Sequence, residues 1–259
     1  MNRLTKAFER LKEKEEKGFV PYIMAGDGGL EKLMERIVFL ESCGATAVEI
    51  GIPFSDPVAD GPSIQAAGLR ALDEGVTLKA VLQTILKVRP IVSIPIIVMT
   101  YMNPIYAYGI ASFIEDASQA GVDGCIIPDL PIEEEELLLP HFQISDIELI
   151  RLVTLTSSNE RIKEIAGKGK GFLYAVTVTG ITGARAKFHA QVEKYLKTIK
   201  EISSLPVLAG FGISTSEQVQ EISQYCDGVV VGSKIVDLFH KDNLDEIEKL
   251  IKSIKTIEA

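Results

Sequence analysis

The sequence predicts an α/β protein folded as a (β/α)8 TIM barrel, with an extra N-terminal helix and extra helical segments. Three observations support this: eight short apolar segments rich in β-branched residues, amphipathic segments of helical periodicity between them, and a length of 259 residues. Near-continuous apolar strands that alternate with helices are typical of a parallel sheet covered by those helices. Eight such units in about 250 residues match a closed barrel, whereas the alternative, a doubly wound open sheet, usually has fewer strands.

The individual elements follow from periodicity along the chain. Leu4, Phe8 and Leu11 recur at helical spacing among Lys and Glu, so we expect a leading helix that covers one end of the barrel. No linker rich in Pro, Gly or Ser interrupts the pattern that follows, so residues 1–259 are predicted to form one domain. The predicted strands are Phe19–Met24, Ala47–Ile50, Ile96–Thr100, Gly124–Ile127, Leu149–Val153, Phe172–Val176, Pro206–Ala209 and Gly228–Val231. The predicted helices between and after them are Leu30–Cys43, Ile64–Glu74, Leu78–Lys87, Phe113–Ala120, Ile132–Leu139, Val192–Ile202 and Leu244–Ile257.

Composition excludes several classes of function. A net charge of -9 argues against a nucleic-acid partner, because binding a polyanion requires a basic surface. Residues 1–17 are rich in Lys and Glu and contain no apolar stretch of signal or membrane-spanning length, so we expect a cytoplasmic protein that does not enter a membrane. Three widely spaced cysteines indicate buried free thiols, and three histidines without metal-ligand spacing predict no metal site.

One carboxylate interrupts an apolar strand. In a TIM barrel the active site lies at the C-terminal ends of the strands, and Glu49 stands near such an end in the segment Ala47–Ile50. A buried charge without a partner costs several kcal/mol or shifts its pKa. Glu49 is therefore a candidate catalytic residue, and the alternative is a side chain that faces outward and is solvated or paired.

The loop that follows, Gly51–Pro62, contains two further carboxylates. Asp56 precedes a proline and Asp60 precedes a glycine, which is ordinary turn chemistry. The loop is nevertheless long for a connection between a strand and a helix, and long ordered loops in compact domains are often functional. Asp60 is therefore the candidate for a second catalytic carboxylate.

Glycines mark the ends of the last two predicted strands, at Gly210, Gly212 and Gly232. Glycine lets backbone N–H groups approach a ligand, and a helix beginning at Ser233 would point its positive end at an anion. The loops after strands seven and eight form the usual phosphate site of this fold, so we predict a phosphorylated small molecule, although glycines can also merely end strands. The loop from Val178 to Arg185 has the composition of a mobile lid.

Other patterns are interpreted as structural. The GKGKG segment, Gly167–Gly171, precedes a strand and therefore belongs to the opposite barrel end, where we expect a turn. The acidic run Glu133–Glu136 is interpreted as the first turn of a helix, with no specific partner. The chain has no GxSxG motif, no Walker A motif and no strand-end lysine suited to a Schiff base, which leaves acid/base catalysis by carboxylates.

Six stretches of the chain carry a resemblance to a known family: FVPYIMAGD (19–27), VEIGIPFSDPVADGP (48–62), PDLP (128–131), GFLYAVTVTGITG (171–183), AGFGIS (209–214) and VGSKIV (231–236). With these stretches in register, the whole chain resembles the tryptophan synthase α-subunit family. The resemblance implies a (β/α)8 barrel that cleaves indole-3-glycerol phosphate into indole and glyceraldehyde 3-phosphate.

The resemblance also implies a role for individual residues. Glu49 would be the general acid/base, and Asp60 would accept a hydrogen bond from the indole N–H. The implied indole pocket consists of Tyr22, Thr100, Ile127, Tyr174 and Phe211, and the implied phosphate site of Gly183, Gly212, Gly232 and Ser233. Some members have Phe and Leu where this chain has Tyr22 and Thr100.

The resemblance further implies a partner. A β-subunit that carries pyridoxal phosphate would form an αββα complex with this chain and receive indole through a tunnel, while this chain would bind no cofactor itself. Some members have an Arg where this chain has Val178, so any contact made by that Arg is absent. The residues implied in communication with the partner are Pro53, Asp56, Pro57, Asn103, Asp129 and Thr182.

Three alternatives remain open from sequence. The chain could be another phosphate-binding barrel, such as an isomerase or an indole-glycerol-phosphate synthase, which would need a different catalytic set including, in the synthase, a well-placed lysine. It could be a non-catalytic activator of a β-subunit, against which the presence of both Glu49 and Asp60 argues. It could also be a stand-alone lyase that releases indole.

Overall fold

The computed structural model describes residues 2–177, 185–210 and 212–256, and the side chains of all of these except 185–189 and 255–256. Eight parallel strands close into a barrel in the order β1 to β8, with β8 paired to β1. The predicted fold class is therefore confirmed. The strands are β1 Gly18–Met24, β2 Val48–Gly51, β3 Ile96–Met99, β4 Gly124–Ile126, β5 Glu148–Thr154, β6 Leu173–Val176, β7 Val207–Gly210 and β8 Gly228–Val231.

Helices surround the barrel, and several connections contain two of them. The predicted extra helical segments are present after β2, β3 and β8. Among the described residues the α-helices are α1 Arg3–Glu13, α2 Leu30–Ser42, α3 Pro62–Asp73, α4 Leu78–Val88, α5 Met102–Tyr108, α6 Ile110–Ala120, α7 Leu139–Gln143, α8 Asn159–Lys168, α9 Arg185–Ile202, α10 Ser216–Ser223, α11 Ser233–His240 and α12 Leu244–Lys252. Short 3-10 turns lie at Glu135–Leu137 and Ser253–Thr256. The assignment of all 259 residues to one domain stays a prediction.

The leading helix α1 closes the N-terminal end of the barrel, as its amphipathic pattern indicated. Leu4 and Phe8 are buried, and the Phe8 ring lies 5.4 Å from that of Phe172 at the start of β6. The GKGKG segment lies at this same end: Gly171 has a φ of 70° and closes the turn that leads into β6. The site-bearing end of the barrel is therefore the opposite one.

The interpretation of Glu133–Glu136 as the first turn of a helix, with no specific partner, was wrong. Only a 3-10 turn and the short α7 form there, and two of the carboxylates have arginine partners. Buried Glu135 accepts two hydrogen bonds of 2.7 Å from Arg151 of β5, whereas exposed Glu133 pairs with Arg161 of α8. Sequence reasoning missed these pairs because each partner lies on a later element, which the pairing of β4 with β5 brings alongside.

The three cysteines, Cys43, Cys125 and Cys226, are buried and unbridged, as predicted. Within the described ranges, no helix is long and apolar enough to span a membrane.

Candidate active site at the C-terminal end of the barrel

A cavity of about 220 Å³ opens at the C-terminal end of the strands. Alternation along each strand explains its walls, because every second side chain points into the barrel. Seven strands each contribute one inward side chain to it: Tyr22, Glu49, Met99, Ile126, Leu152, Tyr174 and Val230. The mouth is lined by Asp60, Ile64, Pro128, Gly212, Ile213, Ser214, Gly232, Ser233, Lys234 and Asp237.

Glu49 faces into this cavity, so the alternative of an outward, solvated side chain does not hold. Glu49 is 3% exposed and pairs in register with Tyr22 of β1 and Ile97 of β3. Its Oε2 atom has no hydrogen-bond partner among the described residues. Burial, and secondarily the negative charge of Asp60, raises the pKa of Glu49 from 4.5 to about 8. At neutral pH the carboxyl group therefore carries a proton that it can give away.

Asp60 lies on the loop that covers the cavity and is held there by Tyr101, the residue before α5. The Tyr101 hydroxyl donates to Oδ1 of Asp60 at 3.0 Å and accepts the backbone N–H of Ala59 at 3.1 Å. Burial raises the pKa of Asp60, and the hydrogen bond from Tyr101 opposes that rise by stabilising the charged form. The two carboxylates thus differ in their surroundings. Glu49 has an unpartnered oxygen in a largely apolar wall, whereas Asp60 accepts a hydrogen bond.

Two tyrosines form much of the apolar wall, and each fits because a glycine stands on the neighbouring strand. A Cβ on Gly51 would lie 1.8 Å from the hydroxyl oxygen of Tyr22, and a Cβ on Gly210 would lie 2.4 Å from both Cε1 and the hydroxyl oxygen of Tyr174. Non-bonded atoms cannot approach so closely. From the sequence, Gly210 is predicted to let a backbone N–H group approach a ligand. In the structure, the absence of a side chain at Gly210 makes room for the Tyr174 ring.

The loops after β7 and β8 form the polar end of the cavity. Gly212 has a φ of 79°, which favours glycine. Gly232 is the N-cap of α11, and no described side chain caps the first turn of that helix. Ser233 is the first residue of that helix, and its hydroxyl lies near the loop residue Gly61. The backbone N–H groups of the first turn are therefore available to an anion.

Two of the residues implied in the indole pocket require correction. Thr100 and Ile127 do not line the cavity, and the preceding residues, Met99 and Ile126, do. The reason is the two-residue period of a strand, since a shift of one position turns a side chain from the barrel interior to the outside. Ile127 instead lines an adjoining cavity outside β4 and β5.

Four of the residues singled out from sequence, Val178, Thr182, Gly183 and Phe211, fall outside the described residues.

Apart from Thr182, the residues implied in communication with a partner lie on the connections after β2, β3 and β4. Pro53 is buried, Pro57 half-buried and Asp56 exposed, with a hydrogen bond from Ser55 to the Asp56 carboxylate. Exposed Asn103 is on α5, and exposed Asp129 accepts the N–H of Met102 at 3.0 Å, which caps that helix from the neighbouring loop. The loops after β3 and β4 are therefore physically joined.

Sequence reasoning missed several lining residues, among them Leu152, Lys234 and Asp237. Leu152 was hidden within an ordinary apolar strand, but strand alternation could have identified it once the barrel was assumed. Lys234 and Asp237 belong to the helix that was predicted to begin at Ser233, where one turn of helical spacing places them on one face. Among the described residues, no group of three or more His, Cys, Asp or Glu side chains could hold a metal ion.

The arrangement defines a class of protein: an eight-stranded β/α-barrel with two carboxylates in a largely apolar pocket and, after β8, a helix whose first N–H groups face the polar end of that pocket.

Comparison with known proteins identifies the family. The family model described as tryptophan synthase alpha chain matches residues 8–259, so the chain belongs to this family. The tryptophan synthase alpha chain of Bacillus mycoides strain KBAB4 is 54% identical over 258 residues, covering 100% of this chain and 98% of the relative. Among solved structures, tryptophan synthase subunit alpha from Legionella pneumophila str. Paris superposes with a TM-score of 0.88 at 34% identity, covering 99% of this chain and 98% of that one. A chain of tryptophan synthase from M. tuberculosis, in an open form with BRD0059 bound, superposes with a TM-score of 0.87 at 29% identity, covering 98% of this chain and 97% of that one.

Proposed function

We propose that this chain cleaves indole-3-glycerol phosphate to indole and glyceraldehyde 3-phosphate in the barrel cavity, a step of tryptophan biosynthesis, with Glu49 as acid/base and Asp60 as the group that binds the indole N–H. The reaction class is an aldol-type carbon–carbon lyase. The observation that carries the proposal is the state of Glu49, which is buried in the cavity wall with an unpartnered oxygen and a pKa of about 8.

Glu49 has the properties that the bond cleavage requires. Its proton goes to C3 of the indole ring, which leaves the ring positively charged. The resulting carboxylate then takes the proton from the hydroxyl on the adjacent side-chain carbon, the C–C bond breaks, and its electron pair returns to the ring as the aldehyde forms. A group that gives and then takes a proton works best with a pKa near the working pH.

Asp60 supplies the complementary charge. As an anion it would accept the indole N–H while the ring becomes positive, and such a charge-assisted hydrogen bond is strongest when the charge develops. Tyr101 supports this role because its hydrogen bond of 3.0 Å to Asp60 favours the charged form.

The remaining surfaces fit the two ends of the substrate. Tyr22, Met99, Ile126 and Tyr174 offer apolar area for a flat ring. Gly212, Gly232 and Ser233 offer backbone N–H groups and a hydroxyl to the phosphate.

The partner proposal extends the same site. We propose that the chain forms an αββα heterotetramer with a tryptophan synthase β-subunit that holds pyridoxal phosphate and takes up the indole. The neighbouring structures titled tryptophan synthase support a β-subunit partner. The joined loops that bear Asp60 and Asp129 are the proposed route of communication. Three free buried thiols favour a reducing compartment, so we propose a cytoplasmic location.

The test is the rate of indole release from indole-3-glycerol phosphate by the purified chain, alone and with a tryptophan synthase β-subunit. We expect slow release that rises with the β-subunit and is lost in Glu49→Gln. Glu133→Gln, which changes an exposed carboxylate that does not line the cavity, is the matched control and should retain activity. Release without the β-subunit as fast as with it would overturn the partner proposal, and unchanged release by Glu49→Gln would overturn the catalytic one.

A further inference from the structure

Lys234 is a cation that lines the proposed active-site cavity. It is the second residue of α11 and lies beside Gly232 and Ser233 at the polar end of the site. The residue is half-buried, and its side chain forms no ion pair or hydrogen bond with any residue that the structure describes. A lysine that lines a cavity without a carboxylate partner is suited to an anion.

Asp237 lies one helical turn further along and lines the same cavity. Its Oδ2 accepts a hydrogen bond of 3.3 Å from the hydroxyl of Ser63 on α3. A carboxylate at this end opposes the binding of a phosphate, because like charges repel. Arg70 of α3 also interacts electrostatically with Asp237, but its guanidinium is already paired with Asp27 at 2.7 Å. The positive end of α11 adds little, because such helix-end effects are modest near solvent.

We propose that the Lys234 ammonium binds the phosphate group of the substrate directly and makes the site selective for the phosphate dianion. This inference rests on the proposed function and deepens it. The ammonium offers three N–H donors and a full charge, so it offsets Asp237 and adds to the backbone N–H groups of Gly232 and Ser233. A phosphate monoester gains its second negative charge near pH 6, and a cation in contact with it favours that second ionisation.

The experiment measures calorimetric binding of indole-3-propanol phosphate and indole-3-propanol, two ligands that lack the side-chain hydroxyl that the proposed cleavage requires. We expect Lys234→Met to raise the Kd of the phosphate ester by about tenfold, the effect of losing one charge-assisted contact, and to leave the Kd of the alcohol unchanged. Lys234→Arg should restore most of the affinity. Lys241→Met, which removes an exposed lysine at the other end of α11, is the matched control and should bind both ligands normally.

Two further readouts separate a direct contact from a structural role. Between pH 5.5 and 7.5, roughly the range over which a phosphate monoester gains its second charge, affinity for the ester should rise more steeply in the unmodified protein than in Lys234→Met. Asp237→Asn should bind the ester more tightly, because it removes a repulsive charge. In turnover, the Lys234→Met defect should fall on KM rather than on kcat.

Two results would overturn the inference while leaving the proposed function intact: an ester Kd that is the same in the unmodified protein and in Lys234→Met, or an equal loss for ester and alcohol. If the unmodified protein bound neither ligand, the proposed function itself would fail, and the role of Lys234 with it.

Discussion

The hydroxyl of Tyr101 links the end of β3 to the loop after β2, since it donates to Oδ1 of Asp60 and accepts from the N–H of Ala59. The Tyr101 ring is buried and lies 5.5 Å from that of Phe54, so its position is fixed by packing. Through this residue the sheet determines where Asp60 points and which charge state it favours.

Tyr101→Phe should therefore lower the rate of indole formation by about tenfold. A hydrogen bond to a charged group typically contributes about 1.5–3 kcal/mol, and only part of that energy stabilises the transition state relative to the bound substrate. Loss of the hydrogen bond should also raise the pKa of Asp60, because that bond favours the anion. The acidic limb of the kcat/KM profile should move to higher pH. An identical profile for Tyr101→Phe and the unmodified protein would show that Tyr101 does not position or tune Asp60.

Glu49 makes the stability of the protein depend on pH. In the folded protein its pKa is about 8, against an ordinary value of 4.5, so the folded state holds this proton over a range in which the unfolded chain releases it. The resulting stabilisation is complete below about pH 4.5 and is lost as pH rises through 8. The glutamine of Glu49→Gln has no ionisable group. The difference in melting temperature between this variant and the unmodified protein should therefore grow, in favour of the variant, from pH 5 to 8 and stay constant above pH 8. The gain corresponds to a few kcal/mol, at roughly 1.4 kcal/mol per pKa unit. Thermal unfolding monitored by circular dichroism would measure it, and a difference independent of pH would contradict the raised pKa.

Gly210 and Tyr174 should behave as a coupled pair. Gly210→Ala places a methyl group within 2.4 Å of the tyrosine, so we expect lower stability and a large loss of kcat/KM as the ring is displaced into the cavity. Tyr174→Leu in the same chain removes the overlap and should recover part of the lost stability. A double-mutant cycle of unfolding free energies measures the coupling, and strict additivity would count against the close approach.

The buried ion pair between Glu135 and Arg151 should matter far more than its exposed neighbour. Arg151→Met leaves a buried carboxylate without its partner and should cost about 3–5 kcal/mol of unfolding free energy. Arg161→Met, which breaks the exposed pair with Glu133, is the matched control and should cost under about 1 kcal/mol. Urea denaturation of both variants provides the comparison, and equal costs would refute the distinction.

The sequence by itself determined the barrel, because strand and helix patterns are local and eight repeats of them leave few ways to bury every apolar face. The sequence also identified Glu49 and Asp60 as candidates. Glu49 is a carboxylate within an apolar strand segment, and Asp60 lies in the long loop that follows, and both features are evident from the order of residues alone. Only the tertiary structure decided which side of a strand faces the cavity. For this reason Met99 and Ile126, rather than Thr100 and Ile127, line the pocket. It also decided the partners of Tyr101, Glu135 and Gly210. These contacts join residues on neighbouring strands or on the loops that follow them, and the pairing of those strands, rather than any local pattern, sets their separation in space.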